Sequence, residues 1–239
     1  MTPTAVLIVI QARSTSVRLP GKAHALIGGE RMLDRVLAVT KRAAAIINRP
    51  PIAGRAKIVV ACPRGDKIAA DFGDTCAIVE GPEHDVLERF RLVVDAFKPD
   101  LVVRITADCP LLPPHLISAH VDLALKHKFD YVSNVDERWR TTIDGTDVEV
   151  MTPRIILWAA EMATRPADRE HVTTFIRHHP PDWARIGTTL TSFDMSHVKL
   201  SVDTTEDLAR VVDAYNRAHE KYEHAVRTLK LTNVFKLYG

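Results

Sequence analysis

Cysteine is scarce in this chain and shows no pairing pattern: Cys62, Cys76 and Cys109 are odd in number and contain no C-x-x-C. Neither a disulfide framework nor a thiolate zinc site is indicated, and a reduced, cytoplasmic setting is the expectation. Long apolar runs are also missing. None approaches the ~20 residues that span a bilayer, and the N-terminal run is too short, and lacks the basic flank, for a signal peptide. Charge of one sign is not in excess, with 32 Lys and Arg against 30 Asp and Glu. A broad nucleic-acid footprint is therefore not expected, and cations have to be clustered to matter. The phosphate-binding pattern G-x-x-x-x-G-K-[ST] is absent, as are H-E-x-x-H and a G-x-G-x-x-G after the first strand. No internal repeat, low-complexity tract or long linker divides residues 1–239, a length that suits one large α/β domain or two small ones.

What is present is an alternation. Apolar, β-branched runs predict strands at 5–10, 57–62, 77–81, 101–107, 131–135, 148–151 and 198–203. Helical spacing falls between them, at 32–48, 66–73, 85–97, 115–127, 153–163, 169–179 and 205–221. Asp85 is a good capping type for 85–97, and Thr204 or Thr205 for 205–221. Several strands are nearly continuous in Val, Ile and Leu, which suits a mostly parallel sheet covered by helices on both faces. The polar stretch 136–147 interrupts the pattern, and a segment near 134–150 is expected to project from the sheet.

In open α/β sheets ligands sit outside the carboxyl ends of the strands, so the residues after each strand decide the function. The first strand runs into QARSTSVRLPGK (11–22), where Arg13, Arg18 and Lys22 supply cations and Ser14, Thr15 and Ser16 supply hydroxyl donors. Guanidinium groups grip phosphate oxygens in bidentate fashion, and lysine acts as a point charge. A solvated basic loop is the competing reading. After the fourth strand, RITADCPLLPP (104–114) carries Asp108 before a proline; after the last, KLSVDTTEDL (199–208) carries Asp203 ahead of a helix start. Asp108 alone reads as a turn-forming residue before proline, whereas helix capping accounts for Glu206 and Asp207 and leaves Asp203, ahead of the cap, freer for a metal. Opposite a three-cation loop, Asp108 and Asp203 form the constellation expected for chemistry on a magnesium nucleotide. Asp85 and Arg89 lie where a base or ribose could rest. Asp147 and Glu149 follow the polar loop, and Arg169 and His171 lie at a helix start.

These stretches resemble the nucleotide-sugar cytidylyltransferases, the group that makes CMP-activated octulosonic and neuraminic acids. QARSTSVRLPGK is similar to their signature loop, with RITADCPLL and VDTTEDL matching in order and position. GPEHDVLERF, DYVSNV, DGTDVEV and DREHVTTFIR are similar to the spore-coat polysaccharide biosynthesis (SpsF) branch. The motifs spread over residues 7–210. Many relatives have a compact Ser-Thr-Arg where this loop has Thr15-Ser16-Val17 before Arg18.

The resemblance implies a single Rossmann-like domain of the nucleotide-diphospho-sugar transferase (GT-A) type. It implies CTP and Mg²⁺, with attack of a sugar or sugar-acid hydroxyl on the α-phosphate and loss of pyrophosphate. Ala12, Arg13, Ser14, Arg18 and Lys22, with Asp85 and Arg89, then fall at nucleotide-binding positions. Asp108 and Asp203 fall at metal-binding positions, and Arg13, Lys22, Asp108 and Asp203 carry the catalysis. Asp147, Glu149, Arg169 and His171 are assigned to the acceptor sugar. No nucleic acid or membrane partner is implied, a homodimer stays open, and 222–239 is expected to be a helical tail. A nucleotide-sugar-dependent glycosyltransferase is the rival enzyme, with Asp147-Val148-Glu149 as its nearest D-x-D-like metal motif. A non-catalytic nucleotide-binding domain is the other alternative.

Overall fold

The computed structural model describes residues 3–227 and 231–237, with side chains through residue 217. The chain opens with β1 (Ala5–Gln11), a 3₁₀ turn (Lys22–His24), a small hairpin of β2 (Leu26–Ile27) and β3 (Glu30–Arg31), and α1 (Met32–Ile47). It continues through β4 (Arg55–Pro63), α2 (Lys67–Phe72), β5 (Ala77–Gly81), α3 (Val86–Phe97), β6 (Leu101–Thr106) and α4 (Pro114–His127). The second half holds β7 (Tyr131–Ser133), β8 (Glu149–Met151), α5 (Pro153–Met162), α6 (Pro166–Glu170) and α7 (Thr174–His178). Strand β9 (Ile186–Thr191), α8 (Thr205–Arg227) and β10 (Leu231–Leu237) complete it.

Eight strands form one sheet in the order β10-β9-β7-β8-β6-β1-β4-β5. Strands β6, β1, β4 and β5 run parallel, while β8 is antiparallel to both β6 and β7. The all-apolar run of β1 follows from its central place. Val6, Ile8 and Ile10 pack with α1 and α4 on one face, and Leu7 and Val9 pack with α3 and α5 on the other. Burying each such side chain contributes about 1.5–3 kcal/mol. Asp66 and Asp85 cap α2 and α3 by accepting the N–H groups of Ile68 and Glu88, each at 2.9 Å. Thr204 is the residue that caps α8, its hydroxyl accepting the Asp207 N–H at 3.2 Å.

Five expectations differ from the structure. Residues 198–203 are not a strand. Lys199 makes one isolated bridge with Asp144, and the segment's apolar alternation serves instead to bury Leu200 and Val202, the latter against Ile27, Met32 and Val211. Strand β9 was not expected, because IGTTLT carries a glycine and three threonines and little apolar signal. The helix expected over 169–179 is split into α6 and α7 at Val172, whose φ of 59° no helix accommodates. Within 222–239, expected to be a helical tail, the described residues hold the end of α8, to Arg227, and β10, which pairs antiparallel with β9. The 134–150 segment folds back on the sheet instead of projecting. Asn134 stitches it closed, donating to the Thr146 carbonyl and accepting the Val148 N–H, both at 2.8 Å.

Candidate active site

The parallel strands β1 and β6 end side by side, with Gln11 opposite Thr106. That register sets the loops after each strand next to one another. The first loop is fixed at both ends. The Ser14 N–H donates to Asp66 Oδ2 at 2.9 Å, and Gly21, at φ 69°, returns its N–H to the Ser14 carbonyl at 3.1 Å. A residue with a Cβ adopts that left-handed turn only at a cost, which is why glycine follows Pro20. Opposite, the Val202 N–H donates to the Asp108 carbonyl at 2.9 Å and ties together the two segments that carry the predicted carboxylates. Between them lies a cavity of about 230 Å³, lined in part by Arg13, Arg18, Lys22, Asp108 and Asp203.

Lys22 is the hub. Its ammonium donates to Asp108 Oδ2 at 2.8 Å, to the Val202 carbonyl at 3.1 Å and to Asp203 Oδ1 at 3.4 Å. Arg18 reaches the same Asp203 oxygen at 3.0 Å, and Lys199 takes Oδ2 at 3.1 Å. Burial would push the Asp108 carboxyl up, but the charge and hydrogen bond of Lys22, with help from Thr106, hold it below the usual carboxylate range. Burial also pushes the adjacent Cys109 thiol well up, and the neighbouring Asp108 and Asp147 add to this, so it is a packed thiol and not a nucleophile. Among the described residues no group of three or more His, Cys, Asp or Glu side chains converges. Two carboxylates within reach of one nitrogen nevertheless fit a hard divalent cation that draws its other ligands from phosphate and water.

The remaining predicted residues are distributed around this cavity in distinct ways. Arg13 lines it and approaches Glu170 of α6 at 3.8 Å, Ala12 lines it as well, and Ser14 anchors the loop through its N–H to Asp66. Asp85 and Arg169 pair at 2.7 Å, and Arg169 also donates to the carbonyls of Ala160 and Ala163, which clasps α6 to the start of α3. Arg89 is buried, donating to the carbonyls of Pro82 at 2.6 Å and Glu83 at 2.9 Å, so it braces the loop after β5 from below. His171 stands at the end of α6, next to the left-handed Val172.

Glu149 is sealed in, 1% exposed, and bound by Arg104 and by the Tyr131 hydroxyl at 2.6 Å, with Arg177 at 3.6 Å. Burial opposes its ionisation, and the two guanidinium groups overcome it and hold the carboxyl low. Glu149 is therefore not available to complete a D-x-D-like pair with Asp147, which instead pairs with Arg140 at 2.5 Å. Burial prevails at Asp147, where the carboxyl is pushed up to about 6.

Several contributors had no local signal. Asp66 was readable as a helix cap but not as an anchor for a loop 52 residues away. Lys199, four residues before Asp203, was legible only as a strand residue. Glu83 accepts from the Thr15 hydroxyl at 2.6 Å and links the loops after β1 and β5. Arg104 joins Glu149 to the cavity by donating to the Gln11 amide oxygen at 3.0 Å.

Comparison with known proteins gives the family and the fold. The cytidylyltransferase family profile matches residues 7–236. The spore coat polysaccharide biosynthesis protein SpsF of Bacillus subtilis (strain 168) is 30% identical over 90% of this chain and 88% of its own. Among solved structures, a cytidylyltransferase from Leptospira borgpetersenii serovar Hardjo-bovis (strain JB197) superposes with a TM-score of 0.78, at 22% identity, over 92% of this chain and 90% of that one. A CMP:2-keto-3-deoxy-manno-octonic acid synthetase complexed with CTP superposes with a TM-score of 0.65, at 15% identity, over 90% of this chain and 99% of that one.

Proposed function

Because the chain belongs to the cytidylyltransferase family, we propose that it transfers CMP from CTP to a hydroxyl of a sugar or sugar acid, releasing pyrophosphate, in the synthesis of a surface polysaccharide or glycan. We read its sheet as the nucleotide-diphospho-sugar transferase (GT-A) arrangement and its setting as the cytoplasm. One observation carries the reading: three cations of one loop and two aspartates, Asp108 after β6 and Asp203 before α8, line the same cavity.

Attack at phosphorus brings an electron-rich oxygen to a polyanion, so the protein has to neutralise and align rather than form covalent intermediates. Arg13 and Arg18 suit the β- and γ-phosphates, because guanidinium forks match phosphate oxygens and can follow the charge onto departing pyrophosphate. The backbone N–H of Ser14, held by Asp66, and that of Ala12, held by the Ala61 carbonyl, fix the loop that carries these cations. Mg²⁺, held by Asp108 and Asp203, would polarise the α-phosphate when bound. The Asp85–Arg169 clasp shapes the nucleotide side. Asp147 and His171 belong to the acceptor side, and Glu149 contributes by holding Arg104 against Gln11.

The direct test is melting of the protein with CTP, UTP, ATP and GTP, each with and without Mg²⁺, followed by pyrophosphate release with candidate sugar acids. CTP at ~100 times its Kd adds about 2.7 kcal/mol, a rise of roughly 5–11 °C for a domain of this size. A CTP-selective, Mg²⁺-enhanced rise is expected. A rise with nucleotide sugars and none with CTP would move the assignment to a glycosyltransferase.

A further inference from the structure

In this structure the two aspartates are already neutralised by the protein itself. An ammonium has three protons to donate, and Lys22 places all three, on Asp108 Oδ2, the Val202 carbonyl and Asp203 Oδ1. Its side chain is 14% exposed, so this is a packed arrangement and not a surface contact. The two oxygens of Asp203 are further engaged by Arg18 and Lys199. A divalent cation approaching Asp203 and Asp108 alone would meet three positive side chains and lose more to repulsion than two carboxylates return. A triphosphate changes that balance. Arg18 and Lys22 both line the cavity that it would fill, and the Arg18 side chain is 65% exposed. Lys22 follows a left-handed glycine and opens a 3₁₀ turn, so its backbone is fixed while a flexible four-carbon stem carries the charge.

We propose that Lys22 is an internal counter-cation: it occupies the carboxylate pair in the nucleotide-free protein and yields that place only when a nucleoside triphosphate draws its ammonium onto the phosphates. Metal and nucleotide then bind as a coupled pair, each strengthening the other by the same factor. The inference rests on the reading that this site takes CTP with a divalent cation, and it adds an order. Metal does not enter before nucleotide, so the carboxylates are not loaded in a form that could act on another phosphate ester.

Mn²⁺ serves as the probe, with binding followed by the loss of its free-ion paramagnetic resonance signal and by melting temperature. Wild-type protein is expected to take up little Mn²⁺ by itself and to be stabilised by Mn²⁺ plus CTP beyond CTP alone. Lys22→Met removes the charge and keeps most of the stem. It should bind Mn²⁺ without nucleotide at least about tenfold more tightly than wild type, within the usual 5–150-fold span of coupling between sites. Its melting temperature should fall in EDTA and recover with Mn²⁺, whereas Lys22→Arg should resemble wild type in Mn²⁺ alone. If Lys22→Met does not fold, the wild-type arm decides: stabilisation by Mn²⁺ alone equal to that seen with CTP present overturns the proposal. Equal Mn²⁺ affinity of Lys22→Met and wild type without nucleotide overturns it too, while leaving the CTP–metal reading intact if wild type responds to Mn²⁺ plus CTP. No response to Mn²⁺ in any protein, with or without CTP, overturns both.

Discussion

The cluster around Lys22 and the cluster around Glu149 are built from the same chemistry and are arranged for opposite ends. Around Glu149, one carboxylate at 1% exposure is held by Arg104 and Tyr131 of the neighbouring strands and by Arg177 of α7. Around Lys22, two carboxylates at 25% and 21% exposure share their cations at the wall of an open cavity. A sealed network loses heavily if one partner is removed, because the others are left charged in a poor solvent for charge. A network on a cavity wall can exchange one partner for a ligand. The difference separates a support from a candidate site, although both set carboxylates next to arginines.

The comparison is sharpened first where the largest effect is expected. Glu149→Ala should cost about 3–5 kcal/mol of stability, the range for breaking a buried pair from one side. Thermal melting reads this directly, and a loss under about 1 kcal/mol would mean that solvent reaches Arg104 and Arg177. Asp108→Ala should behave in the reverse way. Turnover, measured as CTP-dependent pyrophosphate release, is expected to fall by ~10²-fold or more, the scale for losing one preorganised charge-stabilising group. Its stability should change far less than that of Glu149→Ala, since Lys22 keeps Asp203 and the Val202 carbonyl as partners. Near-normal turnover in Asp108→Ala would sink the metal assignment.

Asp66 sits between the two regions in character. It caps α2 and also holds the Ser14 N–H. Asp66→Ala should lower stability by about 0.5–2 kcal/mol through the cap, and weaken CTP binding several-fold because the loop loses its anchor. Unchanged CTP affinity alongside the lost stability would show that Gly21 and the 3₁₀ turn suffice to hold the loop.

The asymmetry between the regions also explains what could be read from sequence. The cationic loop, Asp108 and Asp203 each stand directly after an apolar run, and strand ends in an α/β sheet meet at one edge, so their convergence was legible. The reading of 198–203 as a strand was wrong in structure yet right in consequence, since buried Leu200 and Val202 deliver Asp203 to the same place without a ladder. Glu149 was legible as a residue near the site but not as a buried support. Its role depends on Arg104 directly opposite it on β6 and on Arg177 from α7, and pairing across an antiparallel insertion leaves no mark in local spacing. Strand β9 escaped for a related reason: three threonines read as polar until the paired strand β7 and the buried His120, which takes the Thr189 hydroxyl at 2.8 Å, give them partners.

The smallest effect tests the boundary between the two clusters, where Asp147 lies two residues before Glu149. Burial raises its carboxyl to about 6 despite Arg140, with Asp144 and Glu149 contributing in the same direction. A carboxyl raised on folding binds its proton more tightly in the native state than in the unfolded one, so the stability it contributes is present at acid pH and is lost as pH rises through about 6. Asp147→Asn cannot titrate and should not show that loss. The melting difference between wild type and Asp147→Asn should therefore move against wild type between about pH 4.5 and 7. With the side chain 25% exposed, solvent screening limits the change to about 1 kcal/mol, or roughly 2–4 °C. Glu149, held low by its two arginines, titrates in the opposite sense, its stabilisation being lost only as pH falls below the usual carboxylate range. A pH-independent difference between the two proteins would place Asp147 with the solvated cavity wall, and a shift of the expected sign would place it with the buried support.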